Sequence, residues 1–175
     1  CRIHDGLLKE VFSKVGIGSM IHSNPYSQIR KARRKDTGTL YALTRAAVRD
    51  ESLRPRSRTS IEADIRDYYV YEIDESVIGC FRLSAFPRSR TVELGSVYVH
   101  PAYQGRRIGK AMVAYAMEVS AQEKHKRVVA LTTQSSAFFR DTCGFLQGTL
   151  QHLPKPLREQ ARNNHRNSVI FYRDL

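Results

Sequence analysis

The hydrophobic period of the chain changes abruptly around the segment Tyr98–Lys110, which reads YVHPAYQGRRIGK. Ahead of it residues alternate: Val92, Leu94, Ser96 and Tyr98 fall on one face, and Glu93, Gly95, Val97 and Val99 on the other. A period of two predicts a strand over Arg90 to His100. Beyond it, Ile108, Met112, Tyr115 and Val119 recur at steps of four, three and four, the stripe of a helix laid on a sheet. A strand that turns through Gly105 and Gly109 into a helix aims unpaired amides at whatever occupies the turn, and Arg106, Arg107 and Lys110 add positive charge there. The expected ligand carries phosphate. Glu93 is a carboxylate on a strand expected to be central, so it is either paired structurally or chemical equipment.

The cradle alone does not choose among phosphorylated ligands. It lacks the GxxxxGK(S/T) order of a P-loop and the three glycines of a dinucleotide fingerprint. A net charge of +12 over 175 residues predicts negative partners. Besides the turn, the charge gathers at Arg30, Lys31, Arg33, Arg34 and Lys35 and at Arg54, Arg56 and Arg58. Aromatic interleaving of these clusters is thin, so nucleic acid is not the expected partner. Cys1, Cys80 and Cys143 lie far apart, and the six histidines lack ligand spacing; neither a disulfide framework nor a metal site is expected. No apolar run approaches the roughly 20 residues of a membrane span, and no leader is visible, which points to a soluble, cytoplasmic protein.

Along the chain, an amphipathic helix around Leu7, Leu8 and Val11 precedes a glycine-bearing turn and a linker near Ser23 to Tyr26. A strand at Gln28–Ala32 leads to a helix that starts at Asp36 or Thr37 and runs through Leu40, Leu43 and Ala47. A second helix spans Ser60–Arg66. Tyr68–Ile73 and Val77–Ala85 form a hairpin about Asp74–Ser76. After the cradle and its helix come a strand at Arg127–Leu131, a short helix through Ala137, Phe138 and Phe139, a strand from Phe145 and a closing strand at Ser168–Tyr172. This order predicts an α+β fold: a central, mostly antiparallel twisted sheet flanked by helices on both faces.

Gln104, Gly109 and the helix start resemble the acetyl-CoA signature (Q/R)xxGxG of the GNAT acetyltransferases, with Arg107 at the first glycine of that signature. The resemblance extends over about Tyr26 to Leu175. The pieces GIGSMI at 16–21, RS at Arg56 and Ser57, VEL at 92–94, ALTTQ at 130–134, FF and GF at 138–145, LP at Leu153 and Pro154, and RNS at 166–168 are similar, in order, to the acetyltransferase domain of bacterial N-acetylglutamate synthases. Asp5, Gly6, Leu7, Leu8, Glu10 and Phe12 resemble the end of the kinase-like domain that precedes it in that family. Residues 1–22 are therefore expected to be the tail of such a domain or a linker helix, and residues 23–175 the GNAT domain. Where the family usually has arginine and tyrosine after the LP pair, this chain has Leu157, Arg158 and Ala161.

The resemblance implies transfer of acetyl from acetyl-CoA to the α-amine of L-glutamate, the entry to arginine biosynthesis, by direct attack and without a metal. An amine whose pKa lies about two units above the pH is about 1% neutral, so deprotonation costs about 2.7 kcal/mol and a positioned base is useful. Glu93, acting through a water, is the implied base, and Thr132 or Thr133 would return a proton to the thiolate. Backbone groups of Ser96, Val97, Tyr98 and Val99 would pair with the pantetheine arm as an added strand. The pyrophosphate would lie on Gln104, Gly105, Arg106, Arg107, Ile108, Gly109 and Lys110. Arg56, Arg158, Arg166 and Ser168 would take the acceptor's carboxylates, since guanidinium forks suit them. Two rivals stay open: a GNAT enzyme for another amino acid, polyamine or protein amine, and a CoA-sensing or nucleic-acid-binding module without turnover. A homo-oligomer is also open.

Overall fold

The computed structural model describes residues 28–49, 55–163 and 167–175. The expected helix near Leu7, the kinase-like tail and Arg166 lie outside the described residues. Seven strands form one sheet: β1 (Ile29–Lys31), β2 (Tyr68–Ile73), β3 (Ser76–Phe86), β4 (Thr91–Val99), β5 (Arg127–Thr132), β6 (Leu146–Gly148) and β7 (Val169–Asp174), in the order β1-β2-β3-β4-β5-β7-β6. Among the described residues four helices of regular α form accompany them: α1 (Thr37–Arg49), α2 (Arg58–Ala63), α3 (Ile108–Gln122) and α4 (Lys155–Asn163). Neighbouring strands are antiparallel except β4 and β5, which run parallel.

Each face of the sheet buries a different set of helices, which is the expected α+β layering. On one face Ile108, Met112, Val113 and Ala116 of α3 close over Phe81, Leu94, Val128, Ala130 and Phe171. On the other, Leu40, Leu43 and Ala47 of α1 and Ile61 near α2 cover Tyr68, Val70, Cys80 and Tyr98, while Leu153 and Leu157 of the α4 region cover Val129 and Ile170. The start of α2 is fixed by Ser57, whose hydroxyl accepts a hydrogen bond from the Ser60 amide at 3.1 Å. α1 follows a single 3₁₀ turn, Arg34–Asp36, closed by the Asp36 carboxylate accepting from the Arg33 amide at 2.7 Å.

Two expectations are corrected and one element is added. Strict alternation along β4 fails, because two residues, Ser96 and Val97, stand opposite Phe81 between the pairs Arg82↔Gly95 and Cys80↔Tyr98. Ser96 has φ 51°, so this is a bulge that shifts the phase by one residue. Leu94 and Val99 therefore join the α3 core and Tyr98 the opposite one, rather than Leu94 and Tyr98 sharing a face. The short helix at 137–139 is a π-helical turn, Phe138–Thr142. Finally, α4 was not foreseen: of its residues Leu157 is the buried one, too little to print an apolar stripe.

Parallel pairing between β4 and β5 covers only Thr91↔Arg127, Val92↔Val128 and Glu93↔Val129. Past that point β5 continues to pair with β7 as far as Thr132↔Val169, whereas β4 bulges away. The sheet is split there, and main-chain groups around Ser96 and Val97 face the split without a strand neighbour on that side.

Candidate active site

A cleft of about 510 Å³ opens from the split to the start of α3. Its wall is Val97, Tyr98 and Val99 of β4; its end is Gln104, Gly105, Arg107, Ile108, Gly109 and Lys110. Nine of the expected cofactor residues thus converge on one cavity. Ser96 sits at the bulge instead, and the Arg106 guanidinium lies over the Tyr103 ring, 5.3 Å from its centroid.

The turn is built by two left-handed residues, Gly105 at φ 78° and Arg107 at φ 60°. A Cβ on Gly105 would meet nothing within 4 Å, so its backbone is open to a ligand. Arg107 supplies by strain what glycine would supply freely. It is the N-cap of α3 with no side-chain cap, and the first intrahelical bond runs from the Ala111 amide to the Arg107 carbonyl at 3.0 Å. The amides of Ile108, Gly109 and Lys110 therefore point out of the helix, where its dipole favours an anion.

Two residues play other parts than the sequence suggested. A Cβ on Gly109 would come within 3.3 Å of the Phe138 ring; its small size lets α3 close on the π-helical turn. Gln104 uses its side chain internally, donating from Nε2 to the Val99 carbonyl at 2.9 Å, which ties the turn to the strand end. Tyr103, Ser135, Phe138 and Thr142 complete the lining and were missed. No period in so short a turn separates a lining ring such as Phe138 from a buried one such as Phe139.

Glu93 occupies the last rung of the β4/β5 ladder, half-buried, paired with Val129 on one side and Ser84 on the other. Cross-strand partners share a face. Glu93, Gly95 and Arg82 accordingly look toward α2 and α4, on the side of the split opposite α3, and no atom lies within 4 Å of a Cβ built on Gly95. Arg56 reaches the same side: its Nη1 lies 3.3 Å from Asp64 Oδ2, and Arg82 Nη2 lies 3.0 Å from that same oxygen and 3.2 Å from Asp67 Oδ2. The buried Tyr68 hydroxyl is held above the ordinary phenol pKa by burial, against the pull of Arg56 and Arg82. Arg82 went unnoticed in the sequence. Its signal was a lone charge inside the apolar run VIGCFRL.

Of the other expected residues, Thr132 and Arg158 bond within the fold. Thr132 Oγ1 accepts from the Ser135 amide at 2.9 Å, and Thr133 is exposed; neither lines the cleft. Arg158 donates from Nε to the Leu150 carbonyl at 2.9 Å and from Nη2 to those of Gln151 and Leu153. Those bonds clamp the turn ahead of α4. Ser168 is half-buried immediately before β7. Burial pushes the Cys80 thiol up to about 12 and that of Cys143 up to about 11, far from the thiolate a covalent route needs. Among the described residues no group of three His, Cys, Asp or Glu is placed to hold a metal ion, and no helix is long and apolar enough to cross a membrane.

A split parallel pair, a bulged strand and a helix N-terminus meet along one cleft, and the acetyltransferase (GNAT) family matches residues 31–145. The chain belongs to that family. It is similar to the amino-acid acetyltransferases of Actinobacillus pleuropneumoniae, 32% identical over 169 residues, and Escherichia coli K12, 31% identical over 169 residues. Each alignment covers 97% of this chain and 38% of the relative, so the chain spans well under half their length. Among solved structures it is similar to N-acetylglutamate synthase from Neisseria gonorrhoeae complexed with coenzyme A and N-acetyl-glutamate: TM-score 0.80, 29% identity, 84% of this chain and 34% of that one. The fold is shared with Rv2747 from Mycobacterium tuberculosis, in complex with CoA and NLQ, at TM-score 0.69 and 21% identity over 84% of this chain and 98% of that one.

Proposed function

We propose that this chain transfers acetyl from acetyl-CoA to the α-amine of L-glutamate by direct attack in a ternary complex. The observation that carries the reading is the split past Glu93↔Val129: from it the open β4 edge runs along the cleft to the start of α3, with the half-buried Glu93 at the last rung. Amides at Gly105 and Ile108–Lys110 hold the pyrophosphate, with Arg107 and Lys110 adding charge. The β4 edge beside Val97 takes the pantetheine arm, which sets the thioester at the split, and a main-chain amide there polarises its carbonyl. Glu93, through a water, removes a proton from the ammonium. The amine nitrogen then attacks the carbonyl carbon, the C–S bond breaks, and the departing thiolate takes up a proton. Arg56 receives an acceptor carboxylate, with Ser168 and Arg166 as further candidates.

Support for an acidic acceptor comes from the Arg56 guanidinium at the end of the ion-pair row on the α2 side of the split and from the acetylated glutamate in the Neisseria gonorrhoeae structure. Steady-state rates with acetyl-CoA and a panel of amines test it. Glutamate is expected to give the highest kcat/KM; parity with aspartate, glutamine or lysine overturns the acceptor, and no turnover with any amine overturns the enzyme.

A further inference from the structure

We infer that Arg82 is a positioning residue that sets how strongly Arg56 attracts an acidic acceptor, by sharing the carboxylate that would otherwise neutralise it. The inference rests on the reading of Arg56 as an acceptor ligand. Asp64 Oδ2 is bracketed by Arg56 Nη1 at 3.3 Å and Arg82 Nη2 at 3.0 Å. The shorter contact belongs to the more deeply placed partner: the Arg82 side chain is 15% exposed and that of Arg56 is 26% exposed. Asp67 closes the row at 3.2 Å from the same Arg82 nitrogen. Two cations and two anions thus alternate as Asp67, Arg82, Asp64 and Arg56, with a neutral sum, and Arg56 stands at the end.

The order matters because electrostatic attraction is divided among partners. A lone Asp64 would form a closed pair with Arg56, leaving little field for a third charge. With Arg82 on the same oxygen, the Asp64 charge is already answered from below, and Arg56 keeps an excess of positive field toward the split. Arg82 is held in this task from both sides, since it lies across the strand from Gly95 and from Tyr68 and its Nε is buried with no partner among the described residues. A buried donor left unmet is costly. It is the sign that Arg82 is fixed by the Asp64 and Asp67 contacts rather than by full hydrogen bonding of its own head.

The test measures KM for glutamate and for glutamine, whose side chain is neutral, together with KM for acetyl-CoA. Arg82→Gln turns the cluster net negative and is expected to raise KM for glutamate about tenfold, the scale of one uncompensated charge at a half-exposed site, while KM for acetyl-CoA and for glutamine stay within about twofold. The double variant Arg82→Gln, Asp64→Asn restores neutrality and is expected to return KM for glutamate to within about threefold of the starting value. A residue that merely stiffened the fold would leave the double variant at least as impaired as the single one. Asp67→Asn, a change at an outer and more exposed group, is expected to lower KM for glutamate, and it decides the matter should Arg82→Gln melt early. An unchanged KM in Arg82→Gln, no recovery in the double variant, or an equal rise for glutamine overturns the inference. No turnover with glutamate in the unaltered protein overturns the functional reading and this inference together; turnover insensitive to all three variants overturns the inference alone.

Discussion

Arg107 holds a backbone conformation that suits glycine, at the mouth of a cleft where a cation is also useful, and the two demands pull against each other. Its φ of 60° costs a side-chain-bearing residue about 1–2 kcal/mol, of which glycine's larger unfolded-state entropy would return part. Arg107→Gly is therefore expected to stabilise the free protein by about 0.5–1 kcal/mol and to raise Tm by about 1–4 °C, checked by thermal melts. Calorimetry on the same variant should show weaker coenzyme A binding, since one positive charge leaves the pyrophosphate end. Glu93 presents the opposite case, a residue whose loss should leave binding alone. Glu93→Gln is expected to lower kcat about 10²–10³-fold with little change in the dissociation constant for acetyl-CoA. Its deficit should shrink as pH rises toward the amine's own pKa, because the base is needed only while the acceptor is protonated; a deficit constant with pH would count against Glu93 as the base.

At the scale of elements, β1 is three residues long and sits at the sheet edge, so pairing alone holds it weakly. Arg30 compensates by gripping two carboxylates: Nη1 and Nη2 reach Asp36 at 2.7 and 3.1 Å, and Nε and Nη2 reach Glu72 at 2.8 and 3.2 Å. One side chain thereby joins β1 to β2 and to the turn that starts α1. The Arg30 bond lowers the pKa of Asp36 and of Glu72. Both carboxylates are depressed, so their contribution is complete above the ordinary carboxylate range and is lost as pH falls through the lowered values. Arg30→Gln is expected to cost about 2 kcal/mol at pH 7, discounted for the partial exposure of Glu72, and the gap between the two melting curves should narrow as pH drops from about 5 to about 3; a gap that is the same at both pH values would show that the ion pairs contribute nothing. The elements themselves were readable where one face is apolar. Leu40, Leu43 and Ala47 placed α1, and the hairpin of β2 and β3 stood out by its flanking turn. The bulge at Ser96 was not readable, since serine in a left-handed conformation leaves no mark on an alternating pattern. Neither was α4, held by Leu157 and by Arg158 bonding to carbonyls outside the helix.

Over the whole molecule, the turn and helix of the cleft were legible because they are contiguous, from Gln104 to Lys110, whereas the grouping on the α2 side of the split was not legible from spacing. Arg56, Arg82, Asp64 and Glu93 come together only when β3, β4 and the α2 region are assembled, and no spacing in the chain encodes that meeting. Part of the positive charge is answered within the fold: Asp36, Asp64, Asp67, Glu72 and Asp174 each carry an arginine partner, while Arg107 and Lys110 line the cleft beside the helix start. A ligand with several phosphates should thus stabilise the folded state through that end of the molecule. Coenzyme A at about 100 times its dissociation constant should add about 2.7 kcal/mol and raise Tm by about 5–11 °C. The shift should grow with the logarithm of coenzyme concentration and weaken between about 0.05 and 0.5 M salt, as screening shortens from beyond 10 Å to a few Å. Pantetheine, which lacks the pyrophosphate, should give a small and salt-insensitive shift. A melting temperature that ignores millimolar coenzyme A, or that responds to pantetheine as strongly, would place the binding energy elsewhere than the turn of Gly105 and the first amides of α3.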